Sequence, residues 1–175
     1  MITKNIMQYL RYTRELTLMI EPGDNAQWWV DGSYAVHLEM QSRSGIMMTL
    51  WKGVTYSTSC KQKINTKSST EAELVAVDDA MSQVLWTRHF LSAQGMAIPT
   101  TTIHQDNKSM ILLAKNGSTS SGKHTKHLDM HYYFVTDKIK KGEVKGEYCS
   151  TRDMIMDFIT KPLQGSTFTK MCEKY

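Results

Sequence analysis

The sequence predicts one mixed α/β domain, a sheet carrying helices on its faces. Three observations predict it: strand-like segments joined by short connections come first, a long helical segment follows at residues 69–94, and short strands and helices alternate after that. Strands in consecutive hairpins are antiparallel, whereas strands separated by helices can run parallel, so the order implies a mixed sheet. With 175 residues, 41% hydrophobic and 22% charged, the chain suits a single domain with a sizeable core and excludes disorder as its main state.

The elements follow in order. The opening stretch MITKNIMQYLRYTRELTLMI is broken by Lys4, Arg11, Arg14 and Glu15, so it provides neither a signal-peptide apolar core nor a membrane span. It reads as an amphipathic helix. Pro22, Gly23 and Asp24 mark a turn, after which residues 26–31 (AQWWVD) have the aromatic and branched content of a strand. Residues 45–50 and 54–60 are two further strands, joined by the short Trp51-Lys52-Gly53 connection.

From residue 69 the apolar positions Leu74, Val77, Met81, Val84 and Leu85 recur at helical steps until Gly95 ends the run, and Ser68, Ser69 or Thr70 can cap its start. Beyond Pro99, residues 101–105 read as a short strand and 107–114 as a short helix. Residues 131–141 read as a helix, 144–149 as the last strand, and 153–159 as a closing helix that Pro162 interrupts. The stretch from Asn116 to Gly122 is a loop by composition, separating two halves of one domain.

Cys60, Cys149 and Cys172 form no CxxC pair and leave one unmatched, so neither a disulfide framework nor a thiolate zinc site is indicated. The net charge of +4 is unevenly spread: residues 108–145 carry eight lysines against three acidic residues, while the remainder is close to neutral. Such a segment suits a phosphate backbone, although a solvated lysine-rich face would have the same composition.

Four acidic residues stand where elements begin or end: Asp31, Glu73, Asp106 and Asp157. Hard oxygen ligands of this kind suit magnesium or manganese. Taken singly, an acid at a strand end is more often a turn former or helix cap than a ligand. Glu73 is the exception, because at about 100° per residue it shares a helix face with Val77, Ala80, Val84 and Leu91, and a charge aimed at an apolar face needs a partner or a metal. Glu71 falls on the opposite face with Asp78, Ser82 and His89, where a first-turn acid favourable to the helix dipole is a sufficient account. His124, His127 and His131 lack the HExxH arrangement of a zinc site, and the neighbouring Lys123 and Lys126 favour phosphate contact instead.

The blocks WVDGSYA, SSTEAELVAV, IHQDNKSMILLAKN, KHTKHLDMHYYFV and MDFITKPL, in this order, resemble the ribonuclease H domain that follows reverse transcriptase in copia-type long-terminal-repeat retrotransposon polyproteins. The resemblance runs from about Ala26 to Leu163. It implies a ribonuclease H-like fold, with a five-stranded mixed sheet and helices on both faces, and a domain at 25–163 between a lead-in segment from the polymerase side at 1–24 and a tail at 164–175.

Carried over by motif, the catalytic and metal-binding set is Asp31, Glu73, Asp106 and Asp157, with Asp31 bridging two magnesium ions that manganese can replace. Ser33, Asn107, Lys123, His124, Lys126 and His127 become candidate substrate contacts. The reaction so implied is hydrolysis of the RNA strand of an RNA–DNA hybrid, leaving 5′-phosphate and 3′-hydroxyl ends, with an associated reverse transcriptase domain as partner, no membrane, and a virus-like particle in the cytoplasm or the nucleus as setting. No targeting signal is seen.

The sequence departs from cellular and retroviral relatives in having no histidine between Val144 and Met156, where those carry one before the last catalytic Asp. Copia-type members commonly lack it too, and His124 or His127 is a candidate substitute. A non-catalytic remnant that binds hybrid or RNA is the competing reading. A DNA-directed nuclease such as an integrase or resolvase is opposed by the TKPL and KHTKH blocks.

Overall fold

The computed structural model describes residues 2–35, 41–116, 126–151, 153–161, 165–166 and 169. The chain runs α1 (Ile2–Tyr12), β1 (Glu21–Ser33), β2 (Arg43–Lys52), β3 (Val54–Lys61), α2 (Ser69–Ala93), β4 (Thr101–Gln105), α3 (Lys108–Asn116), α4 (Lys126–Lys140), β5 (Val144–Tyr148) and α5 (Asp157–Thr160). The strands form one five-stranded sheet in the order β3-β2-β1-β4-β5. The pairs β1/β2 and β2/β3 are antiparallel, and β1/β4 and β4/β5 are parallel, as hairpin and crossover connections require.

Alternation along the strands sorts side chains onto two faces. Trp28, Val30, Ile46, Met48, Ile103 and Val144 point to one face and pack against Leu74, Val77, Met81 and Val84 of α2, with α3 and α4 beside it. Met47 and Trp29 point to the other face, where they meet Met154, Ile155, Met156 and Ile159. Helices therefore lie on both faces, unequally.

The differences from the sequence reading have local causes. Pro22, Gly23 and Asp24 make no turn between elements but lie inside β1. Between Glu21 and Ala26 the strand advances five residues while its partner moves only from Lys52 to Leu50, so the surplus is taken up as an irregularity that tolerates a proline. The helix expected from His131 begins at Lys126: the apolar residues of KHLDM, Leu128 and Met130, stand two apart and set no helical period in the sequence. The closing helix is only Asp157–Thr160, since Met154, Ile155 and Met156 are all buried and three successive residues cannot share one helix face. Pro162 and the tail from 170 onward lie outside the described residues.

Of the three candidate caps, Ser68 is the one used: its Oγ accepts from the Glu71 N–H at 3.2 Å. Glu71 in turn accepts from the Lys67 N–H at 2.7 Å, which gives it a capping role at the start of α2.

Candidate metal centre

Asp31 lies near the end of β1, Glu73 in the second turn of α2, and Asp106 just after β4. The parallel register of β1 and β4 pairs Trp29 with His104, and two residues further along it brings Asp31 beside Asp106. Glu73 reaches them because β1 and α2 approach closely at Gly32, where a Cβ would stand 2.5 Å from the Ala72 carbonyl oxygen. One carboxylate oxygen from each of Asp31, Glu73 and Asp106 lies within 4.8 Å of the others.

Each acid is held by its neighbours. The Gly32 N–H donates to Glu73 Oε2 at 2.7 Å, and Gln105 Nε2 donates to the same oxygen at 3.0 Å. Gln105, fully buried, also accepts from the Asp106 N–H at 3.0 Å, so its amide joins the Glu73 carboxylate to the turn that carries Asp106. The Thr151 hydroxyl donates to Asp106 Oδ2 at 3.2 Å. Asp31 Oδ2 accepts a short hydrogen bond from the Thr160 hydroxyl of α5. That approach depends on Gly45, the β2 partner of Asp31, where a Cβ would stand 2.3 Å from Thr160 Cγ2.

Asp157 sits at the start of α5, outside the close group of three, and pairs with Lys161 one turn later. Its charge nonetheless reaches Asp31. Burial pushes the Asp31 carboxyl above its usual range; the Thr160 hydrogen bond and Lys161 oppose the rise, and Asp157 and Asp106 add to it. Glu73 is pushed up to about 8, first by burial and then by the Asp31 charge, against the opposing hydrogen bonds from Gln105 and Gly32. For Lys161 burial works against the charge, but the pairing with Asp157 and the nearby Asp31 and Asp106 outweigh it and raise its pKa.

Asp31 and Glu73, two buried acids whose carboxyls are pushed up, stand with the half-buried Asp106 and offer only oxygen donors, a set that fits a hard divalent cation.

The remaining sequence candidates are less tightly placed. Ser33 is buried with no hydrogen-bond partner for its hydroxyl. Asn107 caps α3 by accepting from the Met110 N–H at 3.0 Å. Lys123 and His124 lie outside the described residues, and of Lys126 and His127 only their place in the first turn of α4 is described.

Gln105, Thr160 and Lys161 were not singled out from the sequence as site residues. The signal for Gln105 is a polar residue at an inward position of a strand whose burial alternates. Thr160 and Lys161 were visible only as part of the TKPL block.

The sheet order, its mixed pairing and the carboxylates at the ends of β1 and β4 define a ribonuclease H-like fold with an acidic centre. Solved structures agree on the fold. LC11-RNase H1 in complex with an RNA/DNA hybrid superposes with a TM-score of 0.54 at 10% identity, covering 74% of this chain and 88% of that one. The N-terminal RNase H domain of a Mycobacterium tuberculosis protein gives 0.54 at 11% identity, covering 86% and 98%.

The relatives in sequence are retrovirus-related Pol polyproteins from transposons. Those of transposon TNT 1-94 from Nicotiana tabacum and of transposon RE1 from Arabidopsis thaliana are each 27% identical over 98% of this chain. The chain spans only 13% and 12% of their lengths. No protein-family model matches the chain.

Proposed function

We propose that this chain is a ribonuclease H that hydrolyses the RNA strand of an RNA–DNA hybrid within a retrotransposon polyprotein, leaving 5′-phosphate and 3′-hydroxyl ends. The observation that carries the reading is the convergence of Asp31, Glu73 and Asp106 from three separate elements, with oxygens within 4.8 Å of one another. A neighbour of the same fold solved on an RNA/DNA hybrid supports the substrate. Two magnesium ions, or manganese in their place, would activate the attacking water and stabilise charge on the scissile phosphate.

Asp31, Glu73, Asp106 and Asp157 would hold the ions. Gln105 and Gly32 fix Glu73 through one oxygen, Oε2. Ser33, Asn107, Lys123, His124, Lys126 and His127 are the proposed contacts to the hybrid. Residues 25–163 form the proposed cutting domain, 1–24 its lead-in from a reverse transcriptase module, and 164–175 its tail. Among the described residues no helix is long and apolar enough to cross a membrane.

The test is cleavage of a labelled hybrid, beside RNA alone and DNA alone, with and without magnesium. Hybrid-specific cutting that stops in excess chelator is expected. Hybrid binding without cutting at any magnesium or manganese concentration would replace this reading with that of a binding remnant.

A further inference from the structure

Lys161 is poised against the centre in a way that its lysine chemistry makes consequential. Its ammonium group pairs with Asp157 Oδ1, one turn earlier on α5, and it lies within electrostatic reach of Asp31 and Asp106. Its neighbour Thr160 donates to Asp31, so two successive residues engage two of the four carboxylates. The Asp157 side chain is 14% exposed and that of Lys161 37%, so the pair is partly shielded from water while the flexible lysine stem keeps a way out.

In the metal-free protein this arrangement offsets the crowding of negative charge. Toward a divalent ion it acts in the opposite sense. An ammonium hydrogen-bonded to one oxygen of a carboxylate stands a few ångström from any ion bound to the other, and like charges at that separation repel. Among the described residues no such ion pair reaches Asp31, Glu73 or Asp106.

We propose that Lys161 is an internal counter-ion that competes with a divalent ion for Asp157. It holds this carboxylate aside until the side chain swings out, and thereby sets the metal concentration at which Asp157 joins the centre. The proposal rests on the metal-dependent reading above and makes Lys161 a positioning residue acting through Asp157. Divalent ions then bind in two classes, tighter at Asp31, Glu73 and Asp106 and weaker where Asp157 is needed.

Calorimetric titration of the folded full chain with Mn2+ tests this in wild type, Lys161→Met, Lys161→Gln and Asp157→Asn, each checked by thermal melting. Lys161→Met should tighten the weaker class by at least about fivefold, the lower end of ordinary coupling between two ligands, and leave the tighter class unchanged. Lys161→Gln keeps a polar contact without the charge and should tighten it too, which preserves the test if the methionine variant does not fold. Asp157→Asn should remove the weaker class. A lysine serving only α5 stability would lower the melting temperature and leave Mn2+ affinity where it was, and that result overturns the proposal. A weaker class that survives Asp157→Asn overturns it as well. Failure of every variant, wild type included, to bind Mn2+ would take the metal-dependent reading down with it, whereas binding without tightening defeats the Lys161 proposal alone.

Discussion

The two faces of the sheet are packed in different ways. Beneath α2, α3 and α4 the core is extensive, with Trp28, Leu74, Met81 and Val84 fully buried. On the other face a small cluster gathers Met47 with residues 154–156, held by a turn and the four-residue α5. The large side contributes Glu73 to the centre. The small side contributes Asp157 and the Thr160 hydroxyl that grips Asp31. Stabilisation grows with buried apolar area, whereas positioning depends on a few directional contacts, so the face that stabilises the fold and the face that completes the site need not coincide.

The largest expected effect separates chemistry from fold. Asp31→Asn should lower hybrid cleavage by about a thousandfold or more, as removal of a central catalytic group does. Its melting temperature should stay level or rise, because a buried, crowded charge is gone. A variant that is inactive only because it no longer melts cooperatively would erase the distinction between the faces.

Next come the two cores themselves. Met81→Ala on the large side should cost about 2–5 kcal/mol in denaturant unfolding and leave the magnesium requirement of the folded protein unchanged. Met156→Ala should fall toward the lower end of that range, yet raise the magnesium requirement, because Met156 is the N-cap of α5 and repacking beneath it would shift the carbonyl that accepts from the Thr160 hydroxyl at 3.0 Å. Equal losses of stability with equal magnesium requirements would show that the two faces work as one.

A pH series sharpens the role of Glu73. Its folded pKa of about 8 lies above its unfolded value near 4.5, so the folded state holds the proton more tightly. The associated stability is fully present below pH about 4.5 and is lost as pH rises toward about 8, which for the metal-free protein amounts to a few kcal/mol. Melting curves between pH 5 and 8.5, set by those two pKa values, should show this decline. Added magnesium or Glu73→Gln should flatten it. A metal-free protein that gains stability over the same interval would contradict the assignment.

The smallest effect belongs to Glu71. Its carboxylate accepts from the Lys67 N–H and glutamine can accept the same bond, so Glu71→Gln should cost a few tenths of a kcal/mol and leave cleavage nearly untouched.

Much of this arrangement was legible in the sequence where a period or a motif recorded it. The first three strands and α2 followed from aromatic and branched content, a short hairpin connection and helical spacing, and the phase of α2 separated Glu73, 6% exposed, from the capping Glu71. Asp106 was legible as an acid at a strand end. What stayed hidden depends on contacts between distant residues. Gly45 carries no local signal, since its need to be glycine arises from Thr160 lying over it. Gln105 looked like one more polar strand residue until Glu73 met its amide. The start of α4 and the shortness of α5 are hidden because two apolar residues two apart, Leu128 and Met130, and a fully buried run, residues 154–156, set no amphipathic period.

The bond from Thr160 to Asp31 joins residues 129 apart in the chain. Contacts of such separation form late, since the loop they close must first be ordered by everything between. During synthesis from the N-terminus, the hairpin sheet, α2 and the large core can assemble while α5 has still to be made. A nascent chain would thus already be a folded body whose first carboxylate still lacks its restraint. The order of the residues along the chain would then act as a timer, leaving the centre unfinished until α5 has been made.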